Sequence, residues 1–179
     1  RATPGALPLV EGRMVQAHRL GVKGHVSGTG RRALWEAYAI GGSRLAPQFW
    51  IRPSDIPRAN QDRADALRVG FCDIAGQTNG NKVPTILFPD DPSEERLLVW
   101  VSIANSFTFD WMLRRVLTTT VNYFLLQSVP MPRLAKDGLP WKRLVSAARE
   151  LRTLDSAGAT RETYERMAQL RGEIDAEVA

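Results

Sequence analysis

Residues 93–117 read SEERLLVWVSIANSFTFDWMLRRVL and contain start signals for two consecutive helices. Ser93 can cap the first helix, and Glu94 and Glu95 then fall in its first turn, where the helix dipole favours negative charge. Apolar residues recur at helical spacing through about residue 105. Ser106 can cap the second helix, whose predicted core-facing residues are Phe109, Met112, Leu113, Val116 and Leu117.

A second helical pair is predicted from Trp141 onward. One helix has an apolar stripe made of Leu144, Ala148, Leu151 and Leu154. The other has a stripe made of Tyr164, Met167, Leu170, Ile174 and Val178. The link at residues 155–160 is short and ends in a possible N-cap, Thr160, so we expect the two helices to pack antiparallel.

The pattern upstream of residue 93 is typical of short strands. Apolar runs between glycine, proline and asparagine turns predict strands within residues 7–18, 34–40, 48–51, 67–75 and 83–88. The last two flank QTNGNK at residues 77–82, whose Asn-Gly step favours a hairpin turn. We also expect a strand at 121–129, a flexible basic loop at 20–32 and a polar connector at 54–65.

Together these elements predict an α+β fold. Residues 1–134 are expected to form a mixed, sheet-containing domain with helices, and residues 135–179 a C-terminal helical hairpin packed on it.

The overall composition excludes several classes of protein. The single cysteine, Cys72, cannot form an internal disulfide, and we expect it to be a small buried hydrophobe in a reducing compartment. No apolar run approaches the length of a membrane span. Residues 1–5 are not followed by the apolar region of a signal peptide. The sequence therefore predicts a soluble, cytoplasmic protein with no membrane partner.

Positive charge is concentrated in the first third of the chain. Residues 1–54 contain eight basic and two acidic side chains, whereas residues 55–179 contain 16 basic and 17 acidic ones, for a total of +5. This asymmetry favours a polyanionic partner such as nucleic acid. The alternative is an ordinary solvated surface, in which 20 arginines against 4 lysines reflect only the codon bias of the source genome.

The sequence contains no motif of a known catalytic site. His18 and His25 are not spaced for a metal, and Gly28-Thr29-Gly30 lacks the lysine and serine or threonine of a P-loop. An acidic cluster (Asp90, Asp91, Glu94 and Glu95) suits either helix capping, which we favour, or a metal-dependent nuclease. We expect no catalytic, cofactor-binding or metal-binding residues.

Several segments together resemble the C-terminal region of adenine-specific DNA methyltransferases from restriction-modification systems. These include type II enzymes that fuse methyltransferase and endonuclease, and related phage-defence methyltransferases. The resemblance rests on the order and spacing of PLVEGRM at 8–14, RVGFCDIA at 68–75, IANSFTFD at 103–110, NYF at 122–124, VPMP at 129–132 and IDAEVA at 174–179. Cys72 departs from the family pattern, as do residues 80–82.

The resemblance implies a sequence-specific target-recognition module and not an enzyme. Neither the Asn-Pro-Pro-aromatic motif nor the cofactor-binding glycine motif of the family occurs in this chain. The implied partners are double-stranded DNA and a covalently linked upstream methyltransferase domain. S-adenosylmethionine would be a cofactor of that parent protein, and magnesium is a further candidate. The alternatives are a protein-interaction module that docks a methyltransferase or nuclease partner, and a small autonomous nuclease.

Two sets of residues are candidates for DNA contact. Lys23, Arg31 and Arg32 on the glycine-rich loop would hold phosphates, or would simply be solvated. Four residues at the tip of the second hairpin would contact base edges, or would simply form an ordinary turn: Thr78, Asn79, Asn81 and Lys82. The resemblance also covers three polar residues with expected architectural roles, Asn105, Asp110 and Asn122. Five aromatic residues are expected in the core and not on a base-stacking platform: Phe107, Phe109, Trp111, Tyr123 and Phe124.

Overall fold

A computed structural model describes residues 4–72 and 83–179, apart from the side chain of Arg31. The strands are β1 (Leu7–Pro8), β2 (Val15–Gln16), β3 (Arg19–Leu20), β4 (Lys23–Ser27), β5 (Leu34–Ala37), β6 (Trp50–Ile51), β7 (Val69–Gly70) and β8 (Thr85–Ile86). The α-helices are α1 (Arg58–Asp65), α2 (Glu94–Ala104), α3 (Phe107–Val116), α4 (Tyr123–Ser128), α5 (Leu139–Asp155) and α6 (Arg161–Val178). None of the described helices is both long and apolar enough to cross a membrane.

The predicted α+β class is confirmed, but the strands do not join into one sheet. In the described part of the chain they form four antiparallel pairs: β1 with β6, β2 with β3, β4 with β5, and β7 with β8. Most of these strands are two residues long, because glycine and proline interrupt the apolar runs that would otherwise extend them. The strand pairs therefore do not form a continuous layer, and β1 pairs with a strand that is more than 40 residues further along the chain.

The main core lies between helices. Both predicted stripes of the C-terminal pair are buried at most of their positions, and α5 packs on both α6 and α2. Buried Ser102 of α2 donates a hydrogen bond to the Leu144 carbonyl of α5 (3.3 Å). Tyr164 is an exception to the predicted stripe, since it is 57% exposed. The helical hairpin is thus as predicted, while the domain boundary at residue 134 stays a prediction.

All three predicted N-caps are confirmed. Ser93 accepts a hydrogen bond from the Arg96 amide (3.3 Å), Ser106 from the Phe109 amide (3.2 Å) and Thr160 from the Thr163 amide (3.1 Å). These bonds satisfy amides that have no partner within the helix.

Two segments differ from their predicted structure. Residues 54–65 are not merely a connector, since they contain α1. The strand expected at 121–129 is instead the short helix α4, which begins after Asn122, whose side chain accepts a hydrogen bond from the Leu125 amide (2.9 Å). The capping bond favours a helical turn over the strand that the β-forming residues of this segment predict.

A buried ion pair joins the N-terminal strands to the end of α5. The Arg19 Nε donates to Asp155 Oδ1 at 2.6 Å, and both side chains are less than one-tenth exposed. Arg19 also donates to the Ala39 carbonyl and to Ser43 Oγ, each at 2.8 Å. Since Ser43 in turn donates to Asp155 (2.9 Å), the four groups form one connected network.

Candidate nucleic-acid interface

The hairpin formed by β4 and β5 carries the first set of candidate residues. Its strands are antiparallel, with His25 opposite Trp35 and a register shift between His25 and Ser27. The expectation of a flexible loop over residues 20–32 is wrong for β4, because Lys23–Ser27 is a strand. Lys23 consequently lies on a strand at the base of the hairpin, whereas Gly30–Arg32 forms a single 3-10 turn at its tip.

The tip is a defined turn, although it is exposed. Gly28 has φ +77°, and a Cβ at this position would lie 2.5 Å from the Arg32 carbonyl oxygen, so only glycine fits without strain. The Arg32 amide donates to the Thr29 carbonyl (3.1 Å), and His25 Nε2 bonds the Gly28 carbonyl (2.8 Å). Local hydrogen bonds therefore hold the arginines of the tip in a specific turn.

Aromatic packing supports the base of this hairpin. The rings of His25 and Trp35 meet edge to face with centroids 5.5 Å apart. The Arg13 guanidinium lies 4.7 Å from the centre of the Trp35 ring, a cation–π distance. The backbone amide of the same residue, His25, donates to the Ala46 carbonyl (2.8 Å). These contacts attach the hairpin to neighbouring segments on one side and leave its tip exposed.

The ion pairs of the N-terminal region show which cations are uncompensated. Four of its arginines have carboxylate partners: Arg13 with Glu11, Arg19 with Asp155, Arg44 with Glu36, and Arg52 with Asp55. The Arg52 hydrogen bond lowers the pKa of Asp55. Within residues 4–72 and 83–179, no carboxylate lies within ion-pair distance of Lys23 or Arg32. The unpaired cations described in this region are thus both on the β4–β5 hairpin.

Charges on the helical side, by contrast, are largely neutralised. Glu94 binds Arg152 (2.8 Å) and Arg149 (3.2 Å), and these hydrogen bonds lower the pKa of its carboxyl group. Glu150 binds Arg166 at 2.6 Å, which likewise lowers its pKa. Residues 139–178 contain seven basic and seven acidic side chains, so the helical hairpin has no net positive charge to offer a polyanion.

The acidic cluster is used for capping and ion pairing. In addition to the bonds of Glu94, Glu95 contacts Arg149 (3.3 Å) and Asp91 contacts Lys136 (3.3 Å). Among the residues that the structure describes, no group of three or more histidine, cysteine or acidic side chains is arranged to hold a metal ion. The positions of Glu94 and Glu95 in the first turn of α2, together with their ion pairs, agree with the capping interpretation.

The second set of candidates lies outside the described residues: Thr78, Asn79, Asn81 and Lys82. The described strands of their hairpin pair as predicted, with Val69 opposite Ile86 and Gly70 opposite Thr85. The side chain of Arg31 also lies outside the description.

The polar residues of the family pattern have architectural roles. Besides the capping bond of Asn122, the Asn105 side chain donates to the Val101 carbonyl (2.9 Å) at the end of α2. Asp110 pairs with Arg114 one turn along α3 (2.6 Å).

The expectation that the five aromatic residues are in the core is wrong for four of them. Phe109 is buried, whereas the exposed fractions of Phe107 and Phe124 are 71% and 78%, and Trp111 and Tyr123 are about half exposed. Phe107 and Trp111 lie one turn apart on the outer face of α3, and Phe109 lies on its inner face. Helical spacing alone could not show which of these two faces is covered.

Two exposed apolar residues near the hairpin tip were missed from the sequence. Val26 on β4 is 60% exposed and Leu34 on β5 is 62% exposed, and they flank the turn that carries Arg32. The two-residue alternation of Lys23, His25 and Ser27 would place Val26 on the opposite, apolar face, so no signal in the sequence indicated its exposure.

Comparisons with known proteins found no relative. No protein-family model, curated protein or solved structure matches this chain. The family resemblance therefore stays a prediction from short motifs.

Proposed function

We propose that this chain is a sequence-specific DNA-recognition module. In this proposal it is the target-recognition domain of a restriction-modification adenine DNA methyltransferase, and it positions duplex DNA for a catalytic domain outside this chain. The observation that carries the proposal is the β4–β5 hairpin, which bears the unpaired cations Lys23 and Arg32 and has an exposed tip.

The shape of the hairpin suits the proposed role. A two-stranded β-ribbon fits into the major groove of B-DNA, where base edges differ for each base pair. Arginines at the tip would bind phosphates or the acceptor edge of guanine, while Val26 and Leu34 are suited to apolar contact with thymine methyl groups. The module would select the target adenine, and methyl transfer with S-adenosylmethionine would occur in the linked domain.

The test is the salt dependence of duplex binding by the chain. If Lys23, Arg31 and Arg32 each contact a phosphate, the three contacts together should contribute about −3 to the slope of log affinity against log salt. Arg32→Glu should weaken binding strongly and reduce this slope. A matched control is Arg133→Glu, because Arg133 is exposed and has no ion-pair partner among the described residues. Equal loss of binding in both variants, or no duplex binding by the unmodified chain, would contradict the proposal.

A protein-interaction module is the second candidate, and the exposed face of α3 favours it. Phe107 and Trp111 are both exposed on this face, and the Arg115 guanidinium lies 4.9 Å from the Trp111 ring centre. Exposed aromatic and arginine side chains are enriched at protein interfaces. If Trp111→Ala abolishes binding to a methyltransferase partner while Arg32→Glu leaves that binding intact, the second candidate is supported.

A further inference from the structure

An open pocket of about 330 Å³ lies between α1, β8 and α4. Its polar lining residues are Asn60, Arg63, Arg68 and Thr85, and none of its described lining residues is acidic. The apolar part of the wall comes from Ile56, Ala64, Leu87 and the Tyr123 ring. This combination of donors with no carboxylate suits an anion attached to a partly apolar body.

One of the arginines is held in place without losing its charge. Arg68 donates to the carbonyl oxygens of Arg63 and Ala64, at 2.6 and 2.9 Å. These oxygens belong to the last turn of α1, so the guanidinium also caps that helix. Because carbonyl groups are neutral and use only two of the five N–H donors, the side chain keeps its positive charge and three donors.

The second arginine, Arg63, adds another cation to the same pocket. Within the part of the chain that the structure describes, no carboxylate lies within ion-pair distance of Arg63 or Arg68. Two arginines that line one small pocket make it electropositive, and an anion bound there would reduce the repulsion between their charges. Guanidinium groups bind phosphate with matching geometry, which favours a phosphate as that anion.

The opposite wall of the pocket is fixed by Tyr123. Its hydroxyl donates to the Thr85 carbonyl (2.9 Å) and accepts from the Thr85 amide (3.1 Å), which joins α4 to β8. The ring also packs edge to face on Phe71, with centroids 6.0 Å apart. Since the hydroxyl is used in these bonds, Tyr123 shapes the pocket, and the arginines are the candidates for binding an anion.

We propose that this pocket binds a sugar-linked phosphate, and that in the protein–DNA complex it holds a phosphate of the duplex backbone. The DNA part of this inference rests on the proposed function. Strand β8 leads back in sequence to residues 77–82, the predicted base-reading turn. A phosphate bound beside Thr85 would therefore set the register of that turn on the duplex.

The test measures two probes, adenosine monophosphate and a duplex oligonucleotide, on the whole chain. Arg63→Ala should weaken binding of each probe about tenfold, because each charged hydrogen bond contributes on that order. It should also reduce the salt slope of duplex binding by about one. Arg58→Ala is the matched control, since Arg58 is on the same helix but does not line the pocket. Arg63→Lys, which keeps the charge, should restore part of the binding.

The outcomes separate this inference from the proposed function. If Arg63→Ala and Arg58→Ala leave the binding of both probes equally unchanged, the pocket proposal is wrong, even when Arg32→Glu abolishes duplex binding. If Arg63→Ala weakens only nucleotide binding, the phosphate pocket stands and its source is a free nucleotide. If the chain binds the nucleotide through Arg63 but no duplex, the pocket stands and the proposed function fails. Circular dichroism should show that each variant retains its helices.

Discussion

The buried Arg19–Asp155 pair allows a quantitative prediction about stability. Asp155→Ala removes the only carboxylate described near Arg19, whose guanidinium then keeps two neutral acceptors, the Ala39 carbonyl and Ser43 Oγ. Removing one partner of a buried pair typically costs about 3–5 kcal/mol. Because those two hydrogen bonds remain, we expect the free energy of unfolding to fall by about 3 kcal/mol.

The measurement is urea unfolding followed by circular dichroism, with a thermal melt in parallel. A loss of about 3 kcal/mol corresponds to a fall in Tm of roughly 6–12 °C for a chain of this size. The double variant Arg19→Met/Asp155→Leu should recover most of the stability, since it leaves no unpaired charge buried.

Asp110→Ala is the control for this prediction. Asp110 and Arg114 are also joined by a 2.6 Å bond between Nε and a carboxylate oxygen, but their side chains are 49% and 63% exposed. Exposed pairs contribute about 0–1 kcal/mol. If Asp155→Ala and Asp110→Ala cost the same, burial does not determine the strength of this contact and the reasoning is refuted.

Two further predictions concern single residues in the fold. Ser106 is the fully buried cap of α3, and its hydroxyl accepts from the Phe109 amide and donates to the Ile103 carbonyl (2.7 Å). Ser106→Ala removes both hydrogen bonds, so urea unfolding should show a free energy of unfolding that is lower by about 1–2 kcal/mol. Burial, with a smaller contribution from Arg171, lowers the pKa of His18 to about 4 from its ordinary 6.5. As the pH falls, His18 therefore binds a proton in the unfolded chain before it does so in the folded chain. The free energy of unfolding keeps its full value above pH 6.5 and should be lower by roughly 2 kcal/mol at pH 5. His18→Asn, which suits the left-handed backbone there (φ 58°), should flatten this dependence in unfolding curves measured from pH 7 to 5.

Local signals predicted the helices that carry the core. Ser93, Ser106 and Thr160 each stand where a polar cap meets an apolar helical stripe, and such caps act within four residues. Helix α4 shows the limit of this reasoning, because its cap is equally local but its aromatic and leucine residues also fit a strand. When two local preferences conflict, packing decides between them, and packing cannot be read from the segment itself.

Contacts between distant segments explain what the sequence could not predict about the site. Arg19 and Asp155 are 136 residues apart, so nothing local distinguishes this buried arginine from the unpaired Arg32. Composition showed an excess of positive charge in residues 1–54, but only the folded chain separates paired cations from unpaired ones. The pocket at Arg63 and Arg68 was missed for the same reason, since its walls come from α1, β8 and α4.

The hairpin tip offers a way to separate residues that contact DNA from those that position them. His25→Phe keeps an aromatic ring against Trp35 but removes the bond from Nε2 to the Gly28 carbonyl. The tip should then be less preorganised, and duplex affinity should fall about threefold to fivefold.

The salt dependence of that loss identifies its cause. No phosphate contact is removed in His25→Phe, so the slope of log affinity against log salt should be unchanged, whereas Arg32→Ala should reduce it by about one. A reduced slope in His25→Phe would mean that His25 itself binds a phosphate. Unchanged affinity would mean that the bond to Gly28 does not organise the tip, and the arginines would then act as mobile charges with no defined geometry.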